Sequence, residues 1–251
     1  MNDQMTGLKP DRYEAFVQAA RALPRVRAAI VHPCSPEAIL GAVEVRDEGL
    51  LEPLLVGPEA KIRAAAEAAN VSLDGIPIDP VEHSHAAAAR AVELAVSGAV
   101  SVLVKGSLHT DELVGAVVAP TSGLRTARRI SHVYVMDVPA YHKLLVITDA
   151  AINIQPTLEH KRDICQNAVD FLHKLGVEEP LVAVLAAVEM VNSQMPSTLD
   201  AAALTVMASR GQITGARVDG PLAFDNAISP EAAHTKGIVS PVAGKADILL
   251  V

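Results

Sequence analysis

The sequence predicts an α/β protein with mainly parallel sheets, and three observations carry that prediction. Over roughly the first 150 residues, short apolar runs alternate with helices of about ten to fifteen residues, the rhythm of βαβ units. The strand candidates there are continuous apolar runs rather than alternating ones, as in a sheet covered on both faces. Half of the 251 residues are hydrophobic but only 2% are aromatic, with three Tyr, three Phe and no Trp. The core is therefore built from Ala, Val, Leu and Ile, small enough to let helices lie close on a sheet.

The elements follow in order. Residues 10–23 are an apolar-periodic helix and 27–32 (RAAIVH) a short strand. Ser35 is a cap candidate, with Pro36 opening a helix that reaches about Gly49. Residues 53–57 read as strand, 58–70 as helix, 75–79 as a brief strand, 81–97 as an Ala-rich helix and 100–105 (VSVLVK) as the strongest strand. From Ile130 the texture changes. ISHVYVMDV alternates, and LLVIT at 144–148 can pair with it antiparallel through a turn at 139–143. Residues 157–175 are an amphipathic helix with Ile164, Ala168, Phe171, Leu172 and Leu175 on one stripe, ended by Gly176. Strand 181–185, helix 198–209, and strands 215–219 and 246–251 complete the chain. This places a domain boundary near Tyr141, with one α/β domain over 1–141 and a second over 142–251. No Gly/Ser linker separates them, so they are expected to pack around a cleft. The chain closes inside KADILLV, a strand with no covering helix after it, which predicts a second domain incomplete at its C-terminus.

Composition excludes several classes. Twenty-one Lys and Arg stand against 29 Asp and Glu, a formal charge of −8 with pI near 5.6. That balance opposes a basic duplex-binding surface, and the aromatic scarcity opposes a stacking platform for single strands. A local basic pocket for a phosphorylated small molecule stays open. Cys34 and Cys165 follow no metal or redox spacing, which fits a reducing cytoplasm. The N-terminus is polar, without an apolar signal core, and the uncharged runs fall well short of the ~18 residues of a membrane span.

Three regions are candidates for chemistry. Lys105, Gly106, Ser107, Leu108, His109 and Thr110 sit at the carboxyl end of the strongest strand, where open α/β sheets bind ligands. Free N–H groups there, with Ser107, His109 and Thr110, could hold a phosphate or carbonyl oxygen, although Asp111 and Glu112 already occupy the positive end of the following helix. The alternative is a well-capped turn with Lys105 in solvent. Next come Arg125, Arg128 and Arg129, whose guanidinium groups suit bidentate phosphate recognition or, equally, salt bridges. The third region, 194–244, holds four polar, turn-rich stretches and supplies Asp219, Asn226, Ser240 and Gly244 as candidate binding residues. Asp219 and Asp225 have no third metal ligand, so turns and caps are the plainer reading. SPVAGK fails as a P-loop on spacing. Cys34, in His32-Pro33-Cys34, lacks an identifiable base.

Together SVLVKGSLHTDEL, GLRTARRISHVYVMDVP, ITDAAINIQPTLEHK, QNAVDFLHKLG, PSTLDAAAL, ASRGQITGARVDGPLAFDNAIS and HTKGIVSPVAGKADILLV resemble the phosphate acetyl/butyryltransferase (phosphotransacylase) family, and look closest to its butyryl-type branch and to the acetyltransferase-like modules fused behind a hydratase domain. The likeness runs from about Val31 to Val251. It implies acyl transfer between coenzyme A and inorganic phosphate, with coenzyme A or acyl-CoA as substrate and no metal or permanent cofactor. It also implies a two-domain architecture like isocitrate and isopropylmalate dehydrogenases, and a cytoplasmic homodimer. In the family a closing segment carries a catalytic Ser-Arg pair and an Asp. That segment lies beyond Val251, so this chain is expected to be inactive by itself. The acetyl branch has an Arg where this chain reads Leu113-Val114-Gly115, which leaves Arg125 or Arg128 to meet the phosphate. The rival readings are a truncated, non-catalytic coenzyme A-binding remnant and a nicotinamide-dependent decarboxylating dehydrogenase on the same fold. The latter needs an Asp array and an adenine-binding segment that the sequence does not supply.

Overall fold

The computed structural model describes residues 12–251. Its contacts divide the chain into two units, Met1–Ala127 and Arg128–Val251. The division falls upstream of the boundary expected at Tyr141, because the predicted antiparallel hairpin belongs wholly to the second sheet.

In the first unit, α1 (Arg12–Arg21), β1 (Val26–Val31), α2 (Pro36–Asp47), β2 (Leu51–Gly57), α3 (Glu59–Ala68), β3 (Ile78–Pro80), α4 (Ser84–Val96), β4 (Val102–Lys105) and α5 (Thr110–Val118) follow one another. The first two positions of the expected 10–23 helix lie outside the described residues. The sheet is parallel throughout, in the order β3-β2-β1-β4. Its strands are apolar on both faces because both are covered. Ala29, Val31, Leu54 and Val56 pack with Ala87, Ala88, Ala91 and Leu94 of α4 and Leu113 of α5. Ala28, Ile30 and Leu55 pack with Ile39 and Ala42 of α2 and Ile62, Ala65 and Ala66 of α3. Ser35 caps α2 as expected, accepting the Ala38 N–H at 3.3 Å with Pro36 at the first turn.

In the second unit, β5 (Tyr134–Met136), β6 (Leu145–Thr148), α6 (Leu158–Lys174), β7 (Leu181–Leu185), α7 (Pro196–Ser209), β8 (Arg217–Leu222), two short helices α8 (Phe224–Ile228) and α9 (Pro230–Thr235), and β9 (Ile248–Leu250) form a sheet ordered β5-β6-β9-β7-β8. Only the β5–β6 pair is antiparallel. Thr157 caps α6 in a reciprocal capping box with His160. The buried stripe of α6 is Ile164, Cys165, Ala168, Val169 and Leu172; Leu175 lies outside it, 38% exposed. β8 begins later than residue 215 because Gly215, at φ +77°, belongs to the turn before it. Among the described residues, no helix is long and apolar enough to cross a membrane.

Candidate functional site

β1 lies between β2 and β4, so the connections that leave β1 and β4 run to opposite sides of the first sheet. Such a switch point opens a crevice at the carboxyl ends of the strands. Here it is flanked by the loop from His32 and by Lys105–Thr110. Gly106 N–H donates to the Val31 carbonyl and Ser107 N–H to the His32 carbonyl, both at 2.9 Å. A Cβ on residue 106 would lie 2.6 Å from the Val31 oxygen and 2.9 Å from Pro33 Cα, so only glycine lets the two loops approach this closely.

These bonds correct one expectation. The N–H groups of Gly106 and Ser107 are already taken, and Lys105 Nζ folds back onto the Gly106 and Leu108 carbonyls at 3.3 and 3.1 Å. The loop is a strap anchored by buried Leu108, and it presents side chains rather than a backbone cradle. Ser107, His109 and Thr110 are exposed, and His109 makes no side-chain cap bond. The strap is held from beneath by Glu112. A Ser84 hydrogen bond and the His109 N–H outweigh burial and hold its carboxyl below the usual range. Alongside, burial raises the Cys34 thiol despite nearby Lys61, which disfavours the thiolate a nucleophile needs. His32, not singled out by itself from the sequence, takes φ +53°, and its Nδ1 is buried without a hydrogen-bond partner.

The three arginines separate. Arg125 is exposed and has no hydrogen-bond or ion-pair partner among the described residues. Arg128 pairs with Asp170 of α6. Arg129 Nε donates to buried Asn153 in the loop after β6.

Each candidate of the second unit has a local task. Asp219 accepts the N–H of Gly220 at 2.9 Å, and Ser240 accepts those of Val242 and Ala243 at 3.0 and 3.1 Å. Gly244, at φ +78°, packs its backbone on Pro230, where a Cβ would lie 2.6 Å from Pro230 Cα. Asn226 is fully buried; its amide donates to Glu189 at 2.6 Å and its Oδ1 is unpartnered. Glu189 also binds Lys236, whose hydrogen bond holds its carboxyl low, and Lys236 reaches Asp225 as well. Asp225 is thus engaged by a cation of the chain itself. Among the described residues, no three His, Cys, Asp or Glu side chains are grouped to hold a metal ion. Glu189, Asn153 and Asp149 are not singled out by the sequence; the compact run DAAIN is the one visible signal for Asp149 and Asn153, and Glu189 has none.

Two α/β units with mainly parallel strands, each carrying polar loops at the carboxyl ends of its sheet, define the class of fold in which ligands bind at those ends. The family described as "Phosphate acetyl/butaryl transferase" matches residues 80–251. The phosphate acetyltransferase of Rhizobium meliloti is 55% identical over 243 residues, 97% of this chain and 77% of that protein. The phosphate butyryltransferase of Clostridium acetobutylicum is 42% identical over 216 residues, 86% of this chain and 72% of that protein. The crystal structure of a branched-chain phosphotransacylase from Enterococcus faecalis V583 superposes with a TM-score of 0.77 at 29% identity, covering 90% of this chain and 79% of that one. The chain belongs to the phosphate acetyl/butyryl transferase family. Of the two expected likenesses, acetyl-type and butyryl-type, identity is higher to the acetyl-type relative.

Proposed function

We propose that the protein is a phosphate acyltransferase that interconverts acyl-CoA plus phosphate with acyl phosphate plus coenzyme A, acetyl being the first acyl group to test. The observation that carries this is the 55% identity to a phosphate acetyltransferase across 97% of the chain. The reactants dictate the chemistry. A coenzyme A thiol, with a pKa near ~8.5 like that of cysteine, needs a base to supply thiolate at neutral pH. The thiolate attacks the acyl carbonyl of the acyl phosphate, and the C–O bond to phosphate breaks. Charge builds on the carbonyl oxygen, where a pre-aimed donor is worth ~3–4 kcal/mol. The leaving phosphate needs cationic and N–H or O–H partners.

Of the proposed binding residues, Ser107, His109, Thr110 and Arg125 have the strongest support, since their side chains are exposed and not spent on the fold. Lys105, Gly106, Asp219, Asn226, Ser240 and Gly244 fit best as the frame around them. A homodimeric state, a cytoplasmic location, turnover without metal and an arrangement like isocitrate and isopropylmalate dehydrogenases are parts of the same proposal. The expected inactivity of this chain draws no support from relatives that match nearly all of it.

The test is turnover of acetyl, propionyl and butyryl phosphates with coenzyme A, followed by thioester absorbance. Activity on at least one, undiminished by a chelator, is expected; no thioester from any of them overturns the reading. Arg125→Ala is expected to raise the KM for phosphate or for coenzyme A about ten- to a hundredfold, the scale of one charged hydrogen bond. Arg125→Lys should restore part of it, because an ammonium keeps the charge but not the planar fork.

A further inference from the structure

Arg129 is held in a way that no other arginine of the described chain is. Its N–H donates to Asp163 Oδ2 at 3.1 Å and its carbonyl accepts from Asn167 Nδ2 at 2.9 Å, so two side chains of α6 pin its main chain. Its Nε donates to Asn153 Oδ1. Asn153, only 8% exposed, is itself fixed: its amide donates to the Asp149 carboxylate and, at 3.0 Å, to the Ile130 carbonyl. Asp149, 9% exposed, completes the relay by accepting the N–H groups of Ala151 and Ile152 at 3.1 and 3.0 Å.

This buried, fully bonded relay ends on a guanidinium that has no carboxylate within ion-pair distance among the described residues. The neighbouring acids are engaged elsewhere. Asp170 pairs with Arg128, and Asp163 pairs with Arg162 at 2.8 Å. Glu159 sits in the first turn of α6, where its carboxyl is bonded to the backbone and to Thr157. A positive charge set in place by buried polar groups but left without an internal anion is complementary to a ligand's negative charge.

The second donor is His160. Its Nδ1 accepts the Thr157 N–H at 3.3 Å in the capping box, which puts the proton of the neutral ring on Nε2. That Nε2 lies 3.4 Å from Arg129 Nη1. Both atoms are donors, so they cannot bond to each other. They converge as two donors do on a shared acceptor, and an oxygen at the ordinary ~2.9 Å from each closes the arrangement.

We propose that Arg129 and His160 form a subsite for a phosphate group at the carboxyl end of β6, with Asn153 and Asp149 as positioning residues. The ligand is a phosphoryl oxygen anion, from inorganic or acyl phosphate on one hand or from coenzyme A on the other. The choice of phosphate rests on the function proposed above, but the subsite can be tested without turnover.

Inorganic phosphate and, separately, coenzyme A are titrated into the 251-residue protein by calorimetry, for wild type, Arg129→Gln, Arg129→Lys and His160→Gln. Gln at 160 keeps an acceptor for the Thr157 N–H while removing the imidazole donor. Arg129→Gln is expected to weaken one of the two ligands about ten- to a hundredfold. Arg129→Lys should recover part of that, and His160→Gln should weaken the same ligand with an unchanged urea midpoint. Selective loss of phosphate identifies the reacting phosphate, and selective loss of coenzyme A identifies a cofactor phosphate. Folded variants that bind both ligands like wild type overturn the subsite, as does a wild type that binds neither at millimolar concentration. If phosphate binding depends on Arg129 but no acyl phosphate is turned over, the acyltransferase reading fails and the subsite stands.

Discussion

The two units bury different things. Every polar or charged residue of the described chain that is buried as a whole (Thr148, Asp149, Asn153, Thr198, Asn226 and Asp247) belongs to the second unit, while the first buries polar side chains only in part. An Ala- and Val-lined core can be deformed a little at small cost. A buried polar network is either satisfied or expensive, since a lost partner leaves the desolvation penalty of the other group. The first unit therefore reads as a scaffold that presents exposed side chains on a strap. In the second, the fold and the candidate ligand groups share the same hydrogen bonds.

The largest effect should come from Asp247. Its Oδ2 accepts the Leu181 N–H at 2.8 Å and its Oδ1 meets Lys143 Nζ at 2.6 Å, while its backbone joins the strands on either side. Burial, with the Asp247 charge added to it, pushes the Tyr141 hydroxyl up to about 12, and that hydroxyl donates to the Ala246 carbonyl. Asp247→Ala should destabilise the second unit by about 3–5 kcal/mol, as removal of one partner of a buried pair does. Hydrogen exchange read peptide by peptide checks it, with protection of the first sheet left unchanged. A loss spread evenly over both units would break the comparison.

In the first unit the corresponding weak point is steric. Gly106→Ala pushes a methyl against backbone atoms of residues 31–33 that have no room to give. Overpacking of this sort costs about 1–3 kcal/mol. The stability of the first unit should fall by that amount, read as a lower urea midpoint, and an unchanged midpoint would show that the strap is looser than its bonds imply.

Acid should separate the units next. Burial alone would raise the Asp149 carboxyl, but the N–H groups of Ile152 and Ala151 and the Asn153 amide hold it below its ordinary value. A depressed folded pKa means that the stabilisation is complete above the unfolded value of about 3.9 and is lost as the pH falls through the folded one. The second unit should lose exchange protection first on acidification below about pH 4, and Asp149→Asn should flatten that limb. The first unit's depressed carboxyls, Glu37 and Glu112, sit in first turns of helices and weigh less. Identical acid slopes for the two units would contradict this.

How far the sequence reaches follows from the same contrast. The elements of the first unit are legible because periodicity, caps and apolar runs are local signals, and its core uses nothing else. Ser35 before Pro36 is the clearest case. In the second unit the helix at 158–174 is equally plain, but the short helices α8 and α9 are not: α8 is fixed by packing on β7 and β9, and α9 follows it through their mutual contact. For the site, the KGSLHT strap is legible from its place after a strand. That its backbone donors are consumed is not, because the acceptors belong to residues 31 and 32, far away in sequence. Arg129 is visible only as one of three neighbouring arginines; that it is the one fixed by Asn153 and Asp149 is not, because that relay forms only after β5 and β6 have paired.

The smallest effects sharpen the comparison at the point where the units meet in sequence. Arg128 and Asp170 form an ion pair with both side chains nearly half exposed, at 46% and 44%. Exposed pairs are worth ~0.2–1 kcal/mol, because solvent screens them and holding two long side chains costs entropy. The loss of this pair in Arg128→Ala should lower the stability of the second unit by about that much, and 1 M salt, where the screening length is ~3 Å, should weaken the pair's contribution. Arg125 has no partner in its own unit to lose, so Arg125→Ala should leave the midpoint of the first unit where it is in both low and high salt. Tyrosine fluorescence reports chiefly the second unit, which holds Tyr134 and Tyr141, and exchange of the first-sheet peptides reports the other. A salt-sensitive drop in the first unit on Arg125→Ala would give that side chain a structural partner, and remove it from the residues proposed to meet the substrate.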